Sequence, residues 1–138
     1  MRISTGIWLA FPPTCIEKNP LELPAQGVHL QHIAGVLDRM ITYAKGESSH
    51  KRQFDYLKTE GVPDASLTTE ILLENLDVEI ATYLAFASQI DPDSLTDFRG
   101  VERAQLPSSV GGLLFHAAEH TQRHFGQLLV TVRILLSN

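Results

Sequence analysis

Three histidines recur at intervals of four residues near the C-terminus: His116, His120 and His124. A step of four residues turns only about 40° around an α-helix, so in a helix the three imidazoles would form one stripe. Mostly apolar residues lie on or beside that stripe, which predicts that it faces the interior: Leu113, Ala117, Leu128, Thr131 and Leu135. A neutral imidazole carries one donor and one acceptor, and buried polar groups need partners.

A metal ion would satisfy two neighbouring imidazoles at once, because histidines at positions i and i+4 can converge on one ion. Helical HEXXH zinc sites use the same spacing, but His120–Thr–Gln–Arg–His124 has no Glu after its first histidine. A metalloprotease of that type is therefore not favoured. The stripe predicts a divalent transition metal, zinc or nickel by ligand type. Hydrogen-bonded core histidines or pH-sensitive interface histidines are the alternative interpretations.

A third ligand would have to come from another helix. The first predicted helix offers His29 and His32, both on its apolar side, and the periodicity slightly favours His29. His50 is expected in a loop or a first turn, facing solvent.

The chain contains 138 residues, which is the size of one domain. Four helices are predicted from apolar periodicity, caps and breakers, at about 25–45, 49–60, 68–90 and 108–136. The predicted apolar face of the first helix consists of Ile33, Val36, Leu37, Met40, Ile41 and Ala44, and the apolar positions of the third include Ile71, Leu72, Leu76, Ile80, Leu84 and Ala87. The second helix offers only Phe54 and Leu57 and is expected to add little apolar cover. No alternating, β-rich segment is evident, so the expected class is all-α. Residues 91–107 are predicted to be a polar connection anchored by Phe98 and Val101. Four prolines near the start of the chain predict an irregular segment over 1–24. The remaining residues, 25–138, are predicted to form a helical-bundle metal-binding domain.

Composition argues against several functions. The net charge of −5 and the scattered basic residues do not fit nucleic-acid binding. No apolar run approaches the roughly 20 residues of a membrane span. Cys15 is the only cysteine, so no intrachain disulfide is possible, and a cytoplasmic protein is expected.

The stretch 113–128 resembles the closing helix of DinB-like (YfiT-type) four-helix bundles, in which two histidines at this spacing precede Gly–Gln, here His120, His124 and Gly126–Gln127. Residues 30–38 resemble the first ligand helix of that family, and this match selects His32 over His29. The resemblance implies an up-down bundle whose metal ligands are His32, His120 and His124, with coordination positions left open. Characterised relatives include transferases and isomerases that use low-molecular-weight thiols.

The resemblance has one departure. The family begins with a long helix, whereas this chain has a short, proline-broken segment there. Either that segment covers the bundle or a partner chain does. We expect a homodimer that buries Trp8 or the outer faces of the long helices.

An open site with three neutral ligands is the catalytic rather than the closed structural pattern. The leading hypothesis is a metal-dependent enzyme acting on a small molecule, either a thiol-dependent transferase or a hydrolase. A non-catalytic metal-binding or interaction module and a metal-free, pH-sensitive dimer are the alternatives. Glu119 is expected at the surface, and His116 either bonds a ligand or is structural. Arg39 and Tyr43 could reach an anionic substrate group, but a solvated Arg and an interfacial Tyr are favoured.

Overall fold

The computed structural model describes residues 25–137, which form four α-helices and one two-stranded antiparallel sheet. In chain order these are α1 (Ala25–Ala44), α2 (Lys51–Thr59), α3 (Thr69–Ala87), β1 (Phe98–Val101), β2 (Leu106–Ser109) and α4 (Val110–Leu136). The expected helical bundle is confirmed, and each predicted helix lies within three residues of its observed bounds. The irregular segment and Trp8 lie outside the described residues.

Helix α1 is the central element, because it packs against both α3 and α4. The apolar face predicted for it is buried throughout: Ile33, Val36, Leu37, Met40, Ile41 and Ala44. Burial of one such large side chain contributes about 1.5–3 kcal/mol, so this face accounts for much of the packing energy. The contact with α4 is the one that brings the predicted ligand helices together.

Local signals fix the helix ends. Gly46 follows α1 with a φ of 78° and Gly61 follows α2 with a φ of 77°, a left-handed conformation that other residues adopt at a cost. The Thr68 and Ser109 hydroxyls accept hydrogen bonds from Ile71 N and Gly112 N, and so cap the first turns of α3 and α4.

Helix α2 is held on α1 by polar contacts. The Gln53 amide is buried and donates to Thr42 Oγ1 at 2.8 Å and to Asp38 O at 3.2 Å. The Tyr56 hydroxyl donates to Gln31 O at 3.0 Å. Phe54, by contrast, is exposed, as expected for a helix that adds little apolar cover. These bonds hold α2 alongside α1.

The connection before α4 differs from the prediction, because it forms a hairpin in which Phe98 pairs with Ser109 and Val101 with Leu106. Val101 packs against the core, as predicted. Phe98 is 65% exposed, so its predicted role as an anchor is wrong. Residues three apart on a strand point to opposite faces, and only one of the two could face the core.

Helix α3 buries less than its periodicity predicts. Leu72 and Leu76 are buried, whereas Ile71 and Leu84 are exposed. Among the described residues, no helix is long and apolar enough to cross a membrane.

Candidate metal centre

Three imidazoles from two helices meet in the interface of α1 and α4. One nitrogen each of His32, His120 and His124 lies within 4.8 Å of the other two. His32 Nε2 is 2.9 Å from His120 Nε2. The His124 ring centroid lies 4.5 Å from each of the other two centroids. The structure thus brings together the three residues that the sequence predicts as ligands.

Neighbouring core residues set the direction of these side chains. Ala117 and Leu128 are buried on α4, about one helical turn to either side of the histidine pair. On α1, His32 directly precedes the buried Ile33. Because both helices bury these faces against each other, the histidines at the edge of the interface point toward one another.

His29 also lies at the cluster, where its Nδ1 is 3.2 Å from His124 Nδ1. It therefore contacts one member of the group without being one of the three convergent residues. Periodicity alone favoured His29 as the ligand, while the resemblance selected His32. In the structure both residues lie next to His120 and His124. Only His32 has a ring nitrogen that lies within 4.8 Å of a nitrogen of each of them.

His116 behaves differently from the other two members of its stripe. Its ring centroid lies 5.3 Å from that of His120, but its side chain is 49% exposed. The expectation that the whole stripe faces the interior is wrong at this position, because His116 lies in the wall of an open cleft and not in the packed interface. His50 is exposed, as predicted.

Glu60 is the site residue that the sequence interpretation missed. Its Oε2 lies 2.7 Å from His32 Nδ1, and its side chain is only 11% exposed. A carboxylate on one ring nitrogen holds the proton there and leaves Nε2 free to bind a metal. Glu60 was interpreted only as the end of a charged helix, and no spacing rule links it to a histidine 28 residues away.

Arg39 is not solvated, contrary to the sequence expectation. Its side chain is 12% exposed, and its Nη1 lies 3.4 Å from Glu60 Oε1. The negative carboxylate of Glu60 pairs with the guanidinium and stabilises it in this buried position. Tyr43 is likewise buried, and its hydroxyl shares a hydrogen bond of 2.8 Å with Ser49 Oγ.

Glu119 lies at the surface, as expected. Its carboxylate accepts hydrogen bonds from Arg123 Nε at 3.1 Å and from Arg123 Nη2 at 2.8 Å. These bonds hold the pKa of Glu119 below its usual value. A carboxylate that is ionised and paired in this way is a poor candidate for a general base.

His29, His120 and His124 favour their neutral form, because the pKa of each is lowered. Burial, together with the neighbouring His124 and His32, lowers the pKa of His120 to about 4. Burial is also the largest cause of the lowered pKa values of His29 and His124. Neutral imidazoles have the free lone pair that coordination requires, so the site is ready to bind a cation near neutral pH.

The donor set fits a transition metal. Imidazole suits zinc and nickel, and two nitrogens that each lie about 2.0–2.1 Å from one tetrahedral Zn²⁺ are roughly 3.3 Å apart. His32 Nε2 and His120 Nε2, at 2.9 Å, are within a few tenths of an ångström of that separation. His120 Nδ1, the other ring nitrogen, is buried and has no hydrogen-bond partner within the described part of the chain. An ion at His120 Nε2 would leave it without one, whereas Nδ1 of His32 is paired with Glu60.

A cleft of about 600 Å³ opens beside the cluster, and its walls include His32 and His120. One wall is α1, the opposite wall is α4, and the hairpin β1–β2 forms the rim. This volume lies within the range of roughly 300–1,000 Å³ that is usual for small-molecule sites. The cluster is therefore accessible to a small molecule.

The fold and the site together define a helical bundle with a candidate three-histidine metal centre. A family model of the DinB superfamily matches residues 26–128. The chain belongs to the DinB superfamily, and the family predicted from the sequence is confirmed. Neither a curated protein nor a solved structure is significantly similar to the chain.

Proposed function

We propose that His32, His120 and His124 bind one divalent transition metal, zinc or nickel, and that the protein is a metal-dependent enzyme. The observation that carries this proposal is the convergence of three ring nitrogens within 4.8 Å beside an open cleft. A structural zinc site has four protein ligands, whereas three leave room for a substrate.

An ion in this site would supply a Lewis acid able to polarise a carbonyl or to lower the pKa of a water or a thiol. The chain's own residues have separate tasks. The three imidazoles remain neutral and leave the charge of the cation uncompensated. Glu60 holds His32 in one tautomer and one ring orientation. The hairpin and Arg39 bound the space in which the substrate lies.

Two reaction types fit this arrangement, a thiol-dependent transferase and a hydrolase. The resemblance to thiol-using relatives supports the transferase, with a low-molecular-weight thiol as co-substrate. We also propose that the protein is cytoplasmic, in keeping with its single cysteine. It would act as a homodimer, since large apolar side chains such as Val78 on α3 and Val130 on α4 are exposed.

Metal analysis of untagged protein tests the proposal. We expect close to one equivalent of zinc or nickel per chain after purification without added metal. H32A, H120A and H124A should each abolish retention, H116A should weaken it only modestly, and the exposed H50A serves as the matched control. A wild-type protein that holds no metal, even after incubation with zinc, would overturn the proposal.

Catalysis needs a separate experiment. Zinc-loaded and metal-free protein are compared in a thiol-conjugation assay with cysteine and an aryl halide, and in an ester-hydrolysis assay. Metal-dependent turnover that H120A abolishes supports an enzyme. Metal retention without turnover across a broad substrate panel would instead favour the non-catalytic module.

A further inference from the structure

The cleft beside the histidine cluster contains one cation, Arg39, that the proposed metal chemistry does not use. Its guanidinium lies in a wall shared with His32, two helical turns away along α1. An arginine side chain that is only 12% exposed is unusual, because a desolvated charge is costly unless it is paired. Its position therefore calls for an explanation.

The partner that the structure gives Arg39 is only partial. Within the described part of the chain, the one side-chain hydrogen bond of the guanidinium runs from Nη1 to Glu60 Oε1, at the long distance of 3.4 Å. A guanidinium has five N–H donors arranged as a fork. Glu60 also accepts from His32, so its charge is shared between two groups. Most N–H donors of the Arg39 guanidinium therefore have no hydrogen-bond acceptor among the described side chains, and they lie beside the cleft.

The other residues of the cleft indicate the remaining chemistry of the ligand. Apolar side chains line both long walls, with Val36 and Met40 on α1 and Leu113 on α4, and the lining also contains two carboxylates, Glu102 and the Arg123-paired Glu119. Among the described residues that line the cleft, Arg39 is the only Lys or Arg. A single fork matches the two oxygens of one carboxylate, whereas a phosphate dianion would call for further cations.

We propose that the cleft binds a small organic carboxylate with an apolar body, whose carboxylate pairs with Arg39 while its reactive group lies at the histidine cluster. The inference deepens the proposed function and rests on it for the position of the reactive group. Because one carboxylate, that of Glu60, separates the guanidinium from His32, the two ends of the ligand are only a few bonds apart.

The test compares 3-mercaptopropionate with its neutral amide, 3-mercaptopropanamide, by calorimetry on the zinc-loaded protein. The thiol is common to both probes, so their affinity ratio reports the carboxylate alone. We expect the wild type to bind the carboxylate at least tenfold more tightly, since a bidentate charge-assisted pair is lost with the amide. R39M should reduce this preference to within twofold, and R39K should be intermediate.

R133M is the matched control, because it removes one exposed positive charge from α4 at a distance from the cleft and should keep the tenfold preference. Melting temperatures show whether R39M is folded, and R39K retains both the charge and most of the stem. Equal affinities in the wild type, or a preference that persists in R39M, would overturn the inference.

A second arm separates this inference from the metal proposal. Butyrate and butyramide are compared on metal-free wild-type and R39M protein by chemical-shift titration. A preference for butyrate that depends on Arg39 supports the carboxylate site even if no metal is retained. If the protein retains metal but binds the carboxylate and the amide equally well in both arms, the carboxylate site is refuted. The metal proposal is not affected by that result.

Discussion

Glu60 Oε2 lies 2.7 Å from His32 Nδ1, although the two residues are 28 positions apart and belong to different helical segments. The carboxylate accepts a hydrogen bond from the Nδ1–H of His32 and leaves Nε2 directed at His120. The candidate centre thus depends on three parts of the chain, because the end of α2 supports the ligand that α1 supplies.

Replacing Glu60 by Gln should weaken metal binding without abolishing it. The amide loses the negative charge that raises the basicity of His32, and supporting residues of this kind typically contribute a factor of about 10–100 in affinity. Competition with a chromogenic zinc chelator measures the change. E47Q, which removes an exposed carboxylate near His50, is the control. An E60Q protein with the wild-type zinc affinity would show that the contact is only structural.

Gly35 and Gly126 should respond in opposite ways to substitution by Ala. A Cβ at Gly35 would lie 2.7 Å from Glu60 Oε1 and 2.8 Å from Tyr56 Cε1, so Glu60 or α2 must move. We expect G35A to lower the free energy of unfolding by about 1–3 kcal/mol, the usual cost of overpacking, and to weaken zinc binding.

Gly126 is the matched position, because a Cβ there meets nothing within 4 Å. G126A should raise the stability by about 0.5–1 kcal/mol, since Ala is the better residue inside a helix. Urea denaturation of both variants measures the difference. Equal effects of the two substitutions would mean that the end of α2 does not pack against Gly35.

The metal-free protein should lose stability as the pH falls below about 6.5. The pKa of His120 is about 4 in the folded chain, below its value of 6.5 in the unfolded one, so between these values only the unfolded state binds the proton. Stability is therefore complete above pH 6.5 and decreases toward pH 4, by on the order of 1–2 kcal/mol after allowance for solvent screening.

Denaturation of metal-free wild type and H120N between pH 7.5 and 5 measures this dependence. The Asn variant cannot bind that proton, so its profile should be flatter. A wild-type protein whose stability is independent of pH in this range would contradict the lowered pKa of His120.

The proposed homodimer gives a fourth prediction. Val130 lies on the outer face of α4 and is exposed, so a charge there should disrupt an apolar contact between two chains. Light scattering should give twice 15.3 kDa for the wild type and 15.3 kDa for V130E. V62E changes an exposed valine outside the helices and should remain dimeric. A monomeric wild type at micromolar concentration would refute the dimer.

Helix positions could be predicted because local signals dominate them. The apolar face of α1 and the glycine stops at Gly46 and Gly61 act within one or two helical turns. The hairpin was missed because its strands have only four residues each, too short for a clear alternation. Leu84 was predicted to lie on the apolar face of α3 but is exposed. The periodicity of α3 shows which face is apolar, but it does not show how much of that face a neighbouring helix covers.

The site could be predicted in part for a related reason. The spacing of His120 and His124 is local, and the resemblance added His32. The contacts of Glu60 and the burial of Arg39 depend on how α2 ends against α1, which no pattern within either helix specifies. Whether the three histidines are metal ligands stays a prediction until the metal content is measured.

The hairpin and the helices contribute to different parts of the site. It borders the cleft with Val101 and Leu106 but contributes no member of the histidine cluster, and the Arg99 guanidinium ties it to α1 through Ala44 O at 2.7 Å. Its turn and exposed side chains can therefore vary in length and type while the helices keep the imidazoles in register. Exchange of this hairpin between relatives would change the walls of the cleft while the histidine cluster stays the same.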